Sequence, residues 1–180
     1  MIKINMGCGW RNFGKDWVHI DGGDYSHLDY NDITDLSQFN SNTVDLIYAS
    51  HVLEYFDRQE ISSLLAEWRR VLKDGGLLRI AVPDFSKISI LYNSGEYGLD
   101  NFLGPLYGRM GMGDKTIYHK TAYDFESIQN LLENNNFKDV VRYEWRNTSH
   151  AQFDDHSQAY LPHMDKDNGT LISLNVECKK

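Results

Sequence analysis

The sequence predicts an α/β fold: a mostly parallel, seven-stranded sheet with an antiparallel hairpin at one edge and helices on both faces. Three observations predict it. Short apolar runs alternate with segments of helical period. The run Val44–Ser50 (VDLIYAS) is nearly continuous in apolar character, as buried parallel strands are. Two closing strand-like runs, Val140–Trp145 and Leu171–Glu177, have no helix between them, which suits an antiparallel pair. The 180 residues, 41% apolar and 13% aromatic, suffice for one domain, 1–180, with a sizeable core.

Taken in order, Ile2–Met6 is a short strand ended by Gly7. Trp17–Asp21 (WVHID) is the second, ended by Gly22 and Gly23, and His27–Ile33 (HLDYNDI) is a more polar third. Val44–Ser50 is the fourth. The period then changes: Ile61, Leu64, Leu65, Trp68, Val71 and Leu72 recur at helical spacing. Asp57 with Glu60 three residues on forms a capping-box-like start, and Lys73 with Gly75-Gly76 supplies the stop. Leu77–Val82 is a fifth strand closed by Pro83, and residues 85–96 suit a helix. Residues 97–120, rich in glycine and aromatics without a clean period, read as an insert or lid. Phe125, Ile128, Leu131 and Leu132 mark a further amphipathic helix, N-capped by Asp124. It ends at Asn134–Asn136, because asparagine tolerates the left-handed conformation. The last two strands flank a polar, irregular stretch, 146–169.

A formal net charge of -8 argues against a nucleic-acid partner, whose phosphates need a basic surface. Cys8 and Cys178 have no C-x-x-C spacing and read as reduced thiols of a cytoplasmic protein. Met1 leads into a strand pattern with no apolar leader, and no window approaches a membrane span, so no membrane partner is expected.

Residues 2–14, IKINMGCGWRNFG, carry the chemistry. Ligands of open α/β sheets bind beyond the carboxyl ends of the strands, and glycines there let the backbone come close. A dinucleotide fingerprint needs G-x-G-x-x-G opening a full helix. Here only seven residues, Trp10–Asp16, separate the loop from the second strand. A parallel crossover normally takes a dozen or more, so at most one helical turn fits. That leaves little helix N-terminus for a pyrophosphate, and a ligand without phosphates suits the loop better.

In order and spacing, the blocks INMGCGWRNFG, WVHIDG, VDLIYASHVLEYF and EWRRVLKDGGLLRIAVPD resemble class I S-adenosylmethionine-dependent methyltransferases of the small bacterial methyltransferase type 11-like kind. The tail, from HKTAYDFESIQNLLENNNF to SLNVECKK, is similar to that family's closing helix and strand hairpin. The resemblance implies a Rossmann-like class I methyltransferase fold trimmed at its N-terminus, lacking the helix before the first strand and most of the one after it. It implies S-adenosyl-L-methionine as cofactor and S-adenosyl-L-homocysteine as product. Gly7, Cys8 and Gly9 are then expected under the amino-acid part of the cofactor. Asp21, with Gly22 beside it, is expected at the ribose hydroxyls, where a carboxylate accepts strong bonds. Asp32, with Asp29 and Asp35 as rivals, is expected at the adenine amino group, and Ile33 at the ring. Ser50 and His51 are expected on the floor near the methyl group. Asn5 stands where many relatives carry an acid.

Methyl transfer mainly requires a nucleophile aligned with an already activated methyl group, and a base matters only where the acceptor must lose a proton. The substrate-side candidates are Tyr55, Tyr107 and Arg109, with His119 as the candidate base or, equally, a satisfied loop histidine. His51 with Glu54 reads either as a pocket-lining histidine beside a solvated glutamate or as an acid–base or metal pair. Asp154, Asp155, His156 and His163 read as a polar loop, their spacing being irregular, and no metal is expected. The acceptor is expected to be a small molecule or glycan precursor, because no basic stripe is present. A homo-oligomer is one way to cover the surface that a missing helix leaves. The alternatives are an inactive methyltransferase-fold binding module and, disfavoured by the short crossover, an NAD-dependent oxidoreductase.

Overall fold

The computed structural model describes all 180 residues. Along the chain it forms β1 (Lys3–Met6), β2 (Val18–Ile20), β3 (Val44–Ser50), α1 (Ile61–Val71), β4 (Leu72–Pro83), α2 (Phe85–Asn93) and α3 (Asp100–Tyr107). There follow β5 (Met110–Met112), β6 (Lys115–Ile117), α4 (Phe125–Asn134), β7 (Lys138–Arg142), β8 (Tyr160–Leu161), β9 (Thr170–Leu171) and β10 (Ser173–Lys179). The main sheet has the order β2-β1-β3-β4-β10-β7. β1 to β4 run parallel, and β10 is antiparallel to both β4 and β7. The chain leaves β1 toward β2 on one side and returns to β3 on the other, which places the topological switch point, and a ligand crevice, at the end of β1.

The sheet has six strands, not seven. The expected third strand, 27–33, forms no ladder with β2: it makes one bridge, Ile20 to Tyr30, and the Asp29 and Tyr30 amides donate to the His19 carbonyl. Its acids explain the loss. Asp29 Oδ2 accepts from the His19 amide at 2.8 Å, and Asp32 Oδ1 accepts from the Thr34 amide at 2.8 Å. The first takes with a side chain an amide of β2 that a ladder carbonyl would take, and the second closes a local turn.

The two sides of the sheet are unlike. Strand side chains alternate between faces. On one face Ile4, Met6, Ile20, Ile47, Ala49, Leu78, Ile80 and Val176 join Leu64, Leu65 and Trp68 of α1 and Ile128 and Leu132 of α4 in a single core. On the other face the register lines up His19, Asn5, Tyr48, Arg79 and Glu177 in one row across five strands. This polar row is covered by loop residues: Phe13, Trp17, His150 and Phe153 pack there around Tyr48. The helices expected on both faces are thus found in the core of one face only. Trp10–Asp16 is too short to return as a helix, and the polar row needs hydrogen-bonding neighbours that an apolar helix face would not supply. The helices α2 and α3 build a separate small core from Ile88, Phe102, Leu161 and Ile172.

Local signals explain the ends. Before α1, Glu60 Oε2 accepts from the Asp57 amide at 3.1 Å, half of the expected capping box. After α1 the chain enters β4 at once, and residues 73–76 loop out, since Val44 pairs with Leu72 but Leu46 with Leu77. Lys73 does not end the helix; its Nζ pairs with Asp45 at 2.7 Å. Asp124 and Ser127 form a full capping box on α4, and Asn136 takes φ +65° after it. The segment 97–120, aperiodic in sequence, forms α3 and the β5–β6 hairpin. No helix is long and apolar enough to cross a membrane.

Candidate active site

The site is built at the end of β1. Gly7 has φ +65°, and a Cβ there would lie 2.3 Å from Val52 Cγ2, so glycine is what lets the loop turn against the chain leaving β3. Gly9 follows at φ +58°, with nothing within 4 Å of where its Cβ would be, so this part of the loop has an open side. The Gly9 amide donates to Asp21 Oδ2 at 2.7 Å and the Gly23 amide to Asp21 Oδ1 at 2.7 Å. Asp21 thereby ties the glycine loop to the end of β2, and each oxygen keeps a further acceptor site. The insert reaches this end of the sheet: Met112 Sδ lies 3.0 Å from the Cβ position of Gly22.

Next to the loop is a small pocket lined by Asn5, Gly7, Cys8, Arg11, Phe13, Ser50 and Asp155. Its wall carries one guanidinium and one carboxylate. Asp155 comes from the segment after β7 and accepts from the Tyr48 hydroxyl at 2.6 Å, Ser50 Oγ at 3.3 Å and the Ser157 amide at 2.8 Å. Arg11 Nε donates to the Asp154 carbonyl at 2.8 Å, and Phe13 stacks on Phe153 at 4.4 Å, so the 150–158 segment is fastened over the loop. Asn5 Nδ2 is buried without a partner. Cys8 Sγ sits 3.7 Å from His27 Nε2, and burial, then the Asp21 charge, push its thiol up to about 12. It therefore stays protonated and packs as a small neutral group.

Of the sequence candidates, Gly7, Cys8 and Ser50 come together in this pocket, with Gly9 and Asp21 tied to the same loop. Asp32 and Ile33 do not line it. Asp32 is exposed, its carboxyl held low by the Thr34 hydroxyl and amide, and the Ile33 carbonyl accepts from Trp68 Nε1 at 3.1 Å. Tyr107 and Arg109 are exposed at the junction of α3 and β5. Asp154 and His163 are also exposed, and Asp154 pairs with Lys166. Sequence reasoning did not single out Arg11, and it read Asp155 only as part of a polar loop. Arg11 is legible in hindsight, a lone cation inside the glycine loop. Nothing in the acid and histidine cluster around Asp155 pointed to the glycine loop, because only the fold brings it to Ser50.

A second cluster lies just beyond β3. His51 takes φ +55°, a left-handed conformation that costs a β-carbon residue about 1–3 kcal/mol and persists only where surroundings enforce it. Its Nε2 is 3.3 Å from Ser173 Oγ and its Nδ1 3.2 Å from Glu54 Oε1. His119 Nε2 approaches the same oxygen at 3.7 Å, and His119 Nδ1 lies 3.0 Å from the Pro105 carbonyl. Glu54 is fully buried, not solvated, and desolvation raises its carboxyl to about 8. Burial pushes His51 well below the usual imidazole range, helped by His156 and His119, and lowers His119 too. The His119 side chain is only 4% exposed, and both its nitrogens face protein groups. Tyr55 stacks edge-on against it at 4.5 Å and donates to the Gly108 carbonyl at 2.7 Å. The Glu54 carbonyl accepts from the Lys120 amide at 2.7 Å. These contacts join the insert to the turn after β3.

Residues 7–80, under half of the chain, match the family model described as a methyltransferase domain. No curated protein sequence matches the chain. Solved structures similar to it include a SAM-dependent methyltransferase from Archaeoglobus fulgidus, 14% identical, at TM-score 0.59, with 99% of this chain and 86% of that one covered. A SAM-dependent methyltransferase from Methanosarcina mazei is 15% identical at TM-score 0.57, with 99% and 92% covered. The Burkholderia thailandensis 1,6-didemethyltoxoflavin-N1-methyltransferase, solved with 1,6-didemethyltoxoflavin and S-adenosylhomocysteine bound, is 12% identical at TM-score 0.56, with 99% and 70% covered. A methyltransferase domain model thus matches the chain across the glycine loop, and along its whole length the chain has the fold of these SAM-dependent methyltransferases.

Proposed function

We propose that the chain transfers the methyl group of S-adenosylmethionine to a small-molecule or glycan-type acceptor, and that the pocket between the glycine loop and Asp155 holds the cofactor's amino-acid end. The observation that carries this is the pocket's charge pattern. An α-amino acid presents an ammonium and a carboxylate side by side. Asp155 offers an acceptor for the first, and the Arg11 guanidinium and the orphaned Asn5 Nδ2 offer donors for the second. Asp155 also takes over the acidic role that Asn5, on β1, does not fill. Gly7, Cys8 and Gly9 run beneath this end, and Asp21 keeps acceptor sites for ribose hydroxyls. Ser50 and His51 floor the cleft. When bound, the cofactor supplies an activated methyl group; the chain's residues bind, orient and exclude water.

Tyr107 and Arg109, exposed on the insert that brings Met112 over Gly22, form the acceptor-side wall. A small acceptor is supported by the net charge of -8 and by the small molecule bound in the Burkholderia relative of this fold. Calorimetric titration with S-adenosylmethionine and S-adenosylhomocysteine, with NAD as control, tests the reading. Binding of the first two and not of NAD, weakened by Asp21→Ala, is expected. Binding of NAD alone, or of none, would overturn it.

A further inference from the structure

Both carboxyl oxygens of buried Glu54 lack a hydrogen-bond donor. His51 Nδ1 and His119 Nε2 come near one of them, at 3.2 and 3.7 Å, without an aligned N–H. The surrounding network says why. The Asn175 amide nitrogen donates to the Ser157 carbonyl at 2.9 Å, which leaves Asn175 Oδ1 to accept from Ser173 Oγ at 2.9 Å. Ser173 has then spent its hydrogen, so His51 must donate to it through Nε2, and His51 Nδ1 is bare. His119 donates through Nδ1 to the Pro105 carbonyl, so its Nε2 is bare as well. Two imidazole lone pairs and a carboxylate converge with no hydrogen among them. One proton resolves the conflict, carried as a Glu54 hydroxyl or as an imidazolium.

The other titratable groups near this cluster are Tyr55 and Tyr123, with His156 beside His51 and the Arg58 and Arg11 cations farther off. The Tyr123 hydroxyl is buried and unpartnered, and burial, then the Glu54 charge, push it up to about 12. Neither tyrosine can remove the proton near neutral pH. The cluster is one step from the proposed cofactor pocket. Ser50 lines that pocket, His51 is the next residue, and Val52 packs against Gly7.

We propose that Glu54, through His51 and His119, holds one exchangeable proton that leaves when a sulfonium occupies the cleft and returns when methyl transfer removes that charge. This rests on the methyltransferase reading. The balance is explicit. An acceptor X–H and a sulfonium become X–CH3, a thioether and one proton: the X–H bond breaks, the C–S pair stays on sulfur, and the freed proton goes to the ionised Glu54 cluster. Glu54 is a positioning and proton-holding residue, because its carboxyl touches the cleft only through His51.

The test is proton counting. Titration calorimetry at pH 7 in buffers of different ionisation enthalpy gives the protons released per ligand bound, for S-adenosylmethionine, which carries the sulfonium, and for S-adenosylhomocysteine, which does not. The wild-type chain is expected to release about one more proton with the first ligand than with the second. Glu54→Gln, nearly isosteric, is expected to bind both with equal counts. Equal counts for the two ligands in the wild-type chain, or an undiminished difference in Glu54→Gln, would overturn the proposal while leaving the methyltransferase reading intact. Failure of the wild-type chain to bind either ligand would remove that reading and this proposal with it.

Discussion

The two faces of one sheet show a division of labour. On the α1 and α4 side, every strand contributes branched or sulfur side chains and the cover is helical. On the other, the row His19–Asn5–Tyr48–Arg79–Glu177 is polar from end to end, and the cover is loop. There His19, Tyr48, Arg79 and Glu177 each find a partner, while Asn5 Nδ2 and the Tyr143 hydroxyl, whose ring lies under Arg79, do not. Phe13 N donates to His19 Nε2 at 2.8 Å, and Tyr48 donates to Asp155. Arg79 donates twice to Glu177 and sits 3.2 Å from His150 Nε2. Burial and the Arg79 charge push His150 down to about 4, so it is neutral and accepts. The apolar face supplies non-directional burial energy. The polar face supplies fixed directions, and the proposed ligand pocket opens at its edge.

That contrast can be broken from either side. The largest effect is expected on the apolar face. Trp68→Ala removes a fully buried ring and its bond to the Ile33 carbonyl, and should cost about 3–5 kcal/mol in denaturant unfolding. Arg79→Ala on the polar face should cost less, about 1–3 kcal/mol, because Glu177 is partly solvated and only part of the pair's energy is lost. Gly7→Ala sets a Cβ into Val52 at a positive φ. It should weaken S-adenosylmethionine binding at least about tenfold, or 1.4 kcal/mol, by displacing the loop. A loss of stability without any loss of binding would mean that the loop does not contact the ligand.

The last effect, spread over several pH units, is pH dependence. His150 has its folded acidity shifted down to about 4 from an ordinary 6.5. The unfolded chain therefore binds more protons in that window. The stability held above about pH 6.5 is lost as pH falls toward 4. Replacing His150 with Gln should flatten the stability–pH curve over that window, and an unchanged slope would exclude His150 as its source. Glu54 works in the opposite sense. Its folded carboxyl titrates near 8 and its unfolded one near 4.5, so its contribution is full below about 4.5 and falls as pH rises to 8. Glu54→Gln should raise the melting temperature more at pH 8 than at pH 5.

Much of the apolar face was legible in the sequence, because burial writes itself as periodicity. The α1 stripe from Ile61 to Val71 and the Asp124 cap of α4 appear where their spacing placed them. The polar face was not legible. Asn5, Tyr48, Arg79 and Glu177 are scattered along the chain and become a row only through strand register, which no local pattern encodes. The third strand failed for a related reason: Asp29 takes a β2 amide with its side chain and Asp32 closes a local turn, so no backbone ladder forms. In the site, the glycine loop and Asp21 were readable as a motif. Asp155 was not, since it reaches Ser50 across 105 residues of chain. The insert 97–120 hid a helix and a hairpin because glycines such as Gly108, at φ +50°, interrupt any period.

The central claim is that the polar face ends in a pocket where Arg11 and Asp155 receive an amino-acid end. A crystal structure of the chain with S-adenosylhomocysteine tests it most directly. The expected result places the ligand's ammonium within hydrogen-bond distance of Asp155 and its carboxylate near Arg11 and Asn5 Nδ2. A ligand bound with neither Arg11 nor Asp155 in contact would contradict the account.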